Sequence, residues 1–126
     1  MRVELRQQGE VGVLEFQSGE VLDSFAAADV KAQAFRLLEG RSDLVVDLSN
    51  LEFVDSAGLG VLVGIYKRTR LRNRTVVVAG AQPYVARVMK ILKLDRVFDS
   101  YPDVPSAIVA LGQSAPAGSG GRRTRG

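Results

Sequence analysis

The sequence predicts a single α/β domain with a mostly parallel central sheet, opened by an antiparallel strand pair and carrying about four helices. Three observations carry that expectation. Two short, almost wholly apolar runs, Leu44-Val45-Val46-Asp47-Leu48 and Thr75-Val76-Val77-Val78-Ala79, have the composition of central strands covered on both faces. Segments with apolar residues at helical spacing alternate with them. The first residues instead alternate polar and apolar with a period of two, and Gln8-Gly9-Glu10 interrupts that alternation.

Taken in order, Val3 and Leu5 alternate with Glu4 and Arg6, and the one-sided pattern suits an edge strand. After the turn, Val11, Val13, Leu14 and Phe16 make a second strand, and Gly19 begins a loop. Asp23 or Ser24 can cap a helix running to about Glu39, with Gly40 placed to end it. Its stripe is Ala27, Val30, Ala34, Leu37 and Leu38, while Lys31, Gln33 and Arg36 fall elsewhere. A second helix from about Ser56 to Leu71 lies between the two apolar runs, with Leu59, Leu62, Val63 and Tyr66 on one face. Pro83 suits the first turn of a third helix whose stripe is Val85, Val88, Met89 and Leu92. Val97 and Phe98 are expected to form a last short strand. Pro102 and Pro105 then open a fourth helix that turns Ile108 and Leu111 inward. The expected order is β-β-α-β-α-β-α-β-α over residues 1–111. Residues 112–126 shift to Gly, Ser, Ala, Pro and Arg, and a disordered tail is expected there.

A chain of 126 residues suits one domain with a real core. It contains no His and no Cys, which removes the commonest general base, the commonest metal ligand and all thiol chemistry. Catalysis would rest on carboxylates, Ser, Lys, Arg and Tyr, so a non-enzymatic protein with no cofactor and no metal is expected. Without cysteine, apolar leader or apolar run near twenty residues, a cytoplasmic protein with no membrane insertion is the simplest reading. The net charge of +3 comes from Arg122, Arg123 and Arg125 in the tail; without them 14 basic residues face 14 acidic ones. A nucleic-acid partner is not expected, because such a domain carries its basic stripe on the fold itself.

The distinctive stretch is Asp47-Leu48-Ser49-Asn50-Leu51-Glu52-Phe53-Val54-Asp55-Ser56-Ala57-Gly58-Leu59-Gly60, where a central strand ends and a helix begins. The first turn of a helix presents unpaired N–H groups and the positive end of the dipole. Gly58 and Gly60 would let another molecule approach closely, and each costs about 0.5–1 kcal/mol relative to Ala in a helix. The residues also admit a plainer reading. Asp55 or Ser56 caps the helix, while Gly60 and Gly64 let it pack tightly on the sheet.

Leu48-x-x-Leu51-x-Phe53-Val54-Asp55-Ser56-Ala57-Gly58-Leu59-Gly60-Val61-Leu62 resembles the signature of the anti-sigma factor antagonists, the STAS-domain family. Gly19-Glu20-Val21-Leu22-Asp23 resembles the Gly-Glu-(apolar)-Asp that precedes the family's first helix, with one residue more between Glu20 and Asp23. The resemblance, which covers residues 3–111, implies a partner switch. The unphosphorylated antagonist binds an anti-sigma factor with serine kinase activity, frees a sigma factor for transcription, and is released when that kinase phosphorylates it. The family's phosphorylated serine falls on Ser56, which a phosphatase would reset. The implied partner-binding face comprises Asp23, Ser24, Asp55, Ser56, Ala57, Gly58 and Leu59. A monomer or weak dimer is expected, with exposed edge strands available for association. The alternative within the resemblance is a docking subunit of a membrane assembly such as a lipid-transport ATPase, or of a stressosome-like complex.

Other motifs carry less. Lys67, Arg68, Arg70, Arg72 and Arg74 read as a solvated face whose cations complement the C-terminus of the second helix. Asp47 lacks the acidic pair and the chain order of a phospho-accepting receiver domain. Lys67 lies about three turns from Ser56 on the same helix, too far to act as its base. Tyr66 and Tyr84 read as core or rim residues, and Ser49 and Asn50 as turn residues.

Overall fold

The computed structural model describes residues 1–17, 21–38 and 42–114. Gly9, at φ +62°, takes a left-handed turn position without strain and folds β1 (Val3–Gln8) against β2 (Val11–Phe16). The hairpin is antiparallel, with Val3 opposite Phe16 and Gln8 opposite Val11. The remaining elements are β3 (Val21–Leu22), α1 (Ser24–Leu37), β4 (Asp43–Asp47), β5 (Phe53–Val54), α2 (Ser56–Leu71), β6 (Val76–Ala79), α3 (Pro83–Ile91), β7 (Asp99–Tyr101) and α4 (Val104–Ser114). The main sheet has the order β1-β2-β4-β6-β7, and every neighbour after the hairpin is parallel. The expected architecture is therefore the observed one, including β1 at an edge.

The apolar runs are continuous because each strand serves two cores. Leu14, Phe16, Leu44, Val46, Val76 and Val78 point toward α1, α2 and α3, and pack with Val30, Ala34, Leu62, Ile65 and Val85. The intervening Val11, Val13, Val45, Val77 and Ala79 point to the other face, where Ala107 and Leu111 of α4 cover them. Strand alternation thus splits one apolar sequence between two layers.

Several expectations shift in detail. Val97 and Phe98 do not form the last strand. Lys93, at φ 64°, leads into a short 3-10 turn, Leu94–Arg96, and Phe98 donates its N–H to the Leu94 carbonyl at 2.9 Å. Pairing with β6 begins one residue later, with Asp99 opposite Val77. Phe98 is buried as a plug, its ring meeting Tyr66 edge-on at 5.3 Å. Leu92 caps α3 and is half exposed rather than part of its stripe. The basic run ends α2 as expected, but the Arg68 guanidinium lies over the Phe35 ring of α1 at 4.6 Å instead of in open solvent. The expected end of the first helix at Glu39-Gly40, the Gly19-Glu20 loop and residues 115–126 of the expected tail lie outside the described residues. Helix α4 runs to Ser114, three residues past the point where the composition changes.

Candidate partner-binding site

The loop leaving β4 is fixed before it reaches Ser56. Leu48 and Leu51 are fully buried and pin it to the core. The Asp47 carboxylate accepts the Ser49 N–H at 3.0 Å, as Asp does in a turn. Asn50 donates its side-chain amide to the Phe16 carbonyl at 2.8 Å, and Gln82 donates to the Ser49 carbonyl at 2.7 Å. The chain then adds β5, whose two residues pair in parallel with β3, Val21 opposite Phe53 and Leu22 opposite Val54. This second, two-stranded sheet brings the start of α1 beside the start of α2.

Asp55 is the N-cap of α2, and Ser56 is its first helical residue. One carboxylate oxygen of Asp55 accepts the Gly58 N–H at 2.9 Å. The other accepts the N–H of Ser24, the first residue of α1, at 3.1 Å. The Asp55 N–H in turn bonds the Leu22 carbonyl at 3.3 Å. On the other side, Asp23 caps α1 and accepts the N–H groups of Phe25 and Ala26 at 3.0 and 3.2 Å. Two aspartates thus accept N–H groups from the first turns of two adjacent helices, three from α1 and one from α2.

The seven expected site residues divide by exposure. Ser24 and Ser56 are exposed, Asp23, Asp55 and Ala57 are half-buried, and Gly58 and Leu59 are buried. Gly58 and Leu59 therefore seat the turn instead of facing outward. A Cβ on Gly58 would overlap the Leu22 carbonyl oxygen and come within 2.6 Å of Val54 Cγ2, so glycine is demanded from inside the fold. Gly60 differs: a Cβ there would meet nothing within 4 Å, and the residue is exposed. A Cβ on Gly64 would come within 3.3 Å of Phe35 Cζ of α1, so its small size serves helix–helix packing and not contact with the sheet.

The result is an exposed serine hydroxyl at the positive end of a helix, beside a carboxylate already engaged with backbone donors. The arrangement presents a neutral hydroxyl at the surface, at a helix end that favours negative charge.

The family model of the STAS domain matches residues 2–107. The chain belongs to the STAS-domain family. It is 27% identical over 113 residues to the anti-sigma F factor antagonist of Paenibacillus polymyxa, covering 88% of this chain and 97% of that protein. The anti-sigma-B factor antagonist of Listeria monocytogenes is 28% identical over 99 residues, covering 77% and 85%. Among solved structures, an anti-sigma-factor antagonist (STAS) domain protein from Planctomyces limnophilus superposes with a TM-score of 0.82 at 19% identity, covering 87% of this chain and 97% of that one. The anti-sigma factor antagonist SpoIIAA is also similar. Its unphosphorylated form gives a TM-score of 0.71 at 18% identity, covering 89% of this chain and 97% of that one. The phosphorylated form of this Bacillus cell fate determinant gives 0.64 at 17%, covering 86% and 98%. At these identities the structures establish the fold.

Among the aromatic residues near this STAS turn, Phe25 escapes a reading by motif, whereas Phe53 lies within the motif and Tyr84 is the core or rim residue expected. Phe25, in the first turn of α1, is 95% exposed. Phe53 of β5 and Tyr84 of α3 stack with ring centroids 5.3 Å apart, both partly exposed. Phe25 had a signal available: it falls off the Ala27-Val30-Ala34 stripe of its own helix.

Proposed function

We propose that this STAS-domain chain is an anti-sigma factor antagonist whose binding is switched by phosphorylation of Ser56. The observation that carries the reading is the separation of duties at the α2 start. Asp55, not Ser56, caps the helix, so the Ser56 hydroxyl stays exposed and can be modified without removing a structural hydrogen bond. The names of the curated relatives, antagonists of anti-sigma F and anti-sigma-B factors, support the same partner class.

In this account the unmodified protein presents Asp23, Ser24, Asp55, Ser56 and Ala57 to an anti-sigma factor with serine kinase activity, while Gly58 and Leu59 shape the turn beneath them. The kinase transfers the γ-phosphoryl group of ATP to Ser56 Oγ, ADP leaves, and the hydroxyl proton passes to a base of the kinase. The phosphoserine carries about −1.5 to −2 charges. The α2 N-terminus stabilises such charge by at most ~2 kcal/mol, so the antagonist itself stays folded. The partner surface is less tolerant. One facing carboxylate at ~4 Å opposes each added unit charge by ~4 kcal/mol at an effective dielectric of 20, and every ~1.4 kcal/mol is tenfold in affinity. A phosphatase acting on phospho-Ser56 resets the cycle. All of this takes place in the cytoplasm, where sigma factors act, on a protein that is a monomer or weak dimer.

The test is binding to the cognate anti-sigma factor by calorimetry. Ser56→Ala should bind like the native protein and take up no phosphate. Ser56→Asp should keep its fold and lose about 100-fold or more in affinity. Equal affinity of Ser56→Asp and the native protein would remove the switch. Stable copurification with a transporter, without phosphorylation at Ser56, would favour the docking-subunit alternative.

A further inference from the structure

The Asp55 carboxylate does more than cap α2. Its two oxygens hold donors from different helices, the Gly58 N–H of α2 at 2.9 Å and the Ser24 N–H of α1 at 3.1 Å. Ser24 precedes Phe25, the most exposed large apolar side chain among the described residues at 95%. A phenylalanine so placed forgoes nearly all its hydrophobic stabilisation in the free protein, and aromatic side chains are the commonest anchors of protein interfaces. Phe25 and Ala26 are held from the other side by Asp23, at 3.0 and 3.2 Å.

We propose that Asp55 is a relay that ties the first turn of α1, with its exposed Phe25, to the modification state of Ser56. The proposal rests on the phosphorylation switch and adds how the charge is felt beyond the modified residue. A phosphate on Ser56 sits next in sequence to Asp55, at the same helix end. It competes for the first-turn N–H groups of α2 and repels the carboxylate that already uses one of them. Of the two bonds that the Asp55 carboxylate makes, the one to Ser24 is the longer, at 3.1 against 2.9 Å, is exposed to solvent and reaches another helix. It is the bond that yields. Asp23 still caps α1, so the helix persists, but its first turn loses the link that sets Phe25 in register with Ser56. The partner then meets two changes at once: a charge at Ser56 and a loosened aromatic at residue 25.

The experiment compares the full chain with and without phosphoserine installed at position 56 during translation, using nitrogen-15 NMR to read amide exchange with water. Losing the Asp55 bond should speed exchange at Ser24 about tenfold, the equivalent of one net hydrogen bond, while Phe25 and Ala26 change by less than about threefold. Asp55→Ala should raise Ser24 exchange to the same level without phosphate, and phosphoserine in that variant should add nothing. Unchanged Ser24 exchange in the phosphoprotein overturns the relay, as does an equal acceleration in the Asp55→Ala background. Should Asp55→Ala fold poorly, Phe25→Trp provides a second readout, because the chain contains no other Trp. Its emission anisotropy should fall on phosphorylation, and a constant value overturns the proposal. The two claims separate cleanly. A phosphoprotein that loses the anti-sigma factor with Ser24 exchange unchanged leaves the switch and removes the relay. One that keeps the partner while Ser24 exchange rises leaves the relay and removes the switch.

Discussion

At Gly58 and Gly60, two residues of one motif answer to different physics. The position of a Cβ on Gly58 is taken by the Leu22 carbonyl and Val54, both on the short β3–β5 sheet. Gly58→Ala should therefore force the two strands apart and destabilise the protein by about 1–3 kcal/mol, read as a lowered urea midpoint. Gly60→Ala should do the opposite and stabilise it by about 0.5–1 kcal/mol, since nothing lies within 4 Å of the added methyl. If Gly60 lies under the partner, the same variant should weaken binding to the anti-sigma factor despite its gain in stability. From sequence alone the two glycines read alike, because a motif records which positions are small and not what each is small for. Ser56 shows the same limit. The sequence allowed either Asp55 or Ser56 as the cap, and only the hydrogen bond from Gly58 to Asp55 assigns that role.

Among the elements, the helices and β1 were readable because each carries its own period, two for β1 and 3.6 for α1 to α3, and the central strands because they are nearly continuous apolar runs. The two-residue strands β3 and β5 were not, since a pairing of that length has no period. Val97 and Phe98 misled for a related reason: of this apolar, strand-forming pair only Phe98 is buried, through a 3-10 turn and contact with Tyr66 before pairing begins, while Val97 stays exposed. Capping at the element scale yields two measurable consequences. Asp55→Ala removes acceptors from two helices and should cost about 1–2 kcal/mol in chemical unfolding. At the start of α4, the backbone and side chain of Ser106 hold the Asp103 carboxyl below its ordinary value. A folded-state value below the unfolded one means that the contribution is present above the ordinary carboxylate range. It is lost as pH falls through the lowered value. The Ser106 amide, which donates to Asp103 at 2.8 Å, should lose its downfield shift over that acid range, and Asp103→Ala should abolish the transition.

Over the whole molecule, two layers cover the sheet. Helices α1, α2 and α3 bury one face and α4 the other, and Ser56 itself is exposed at the α2 start while Val54 and Leu59 on either side of it belong to the first core. Charge added at Ser56 should therefore leave global stability nearly unchanged, with the melting temperature of Ser56→Asp within about 4 °C of native, equivalent to less than ~1 kcal/mol. A larger loss would mean that the Ser56 side chain itself supports the fold. The balanced charge of residues 1–111 and the absence of His and Cys named no surface; the candidate surface came from the motif and its place in the fold. The central claim is that modification of Ser56 alone decides partner binding. Its most direct test is to incubate the protein with ATP and its cognate anti-sigma factor, locate the phosphate by mass spectrometry, and measure the affinity of the purified product. The account predicts a single phosphate on Ser56, none on Ser56→Ala, and an affinity at least about 100-fold below that of the unmodified protein. A phosphorylated Ser56 that binds as tightly as the free hydroxyl, or equal phosphate uptake by Ser56→Ala, would contradict it.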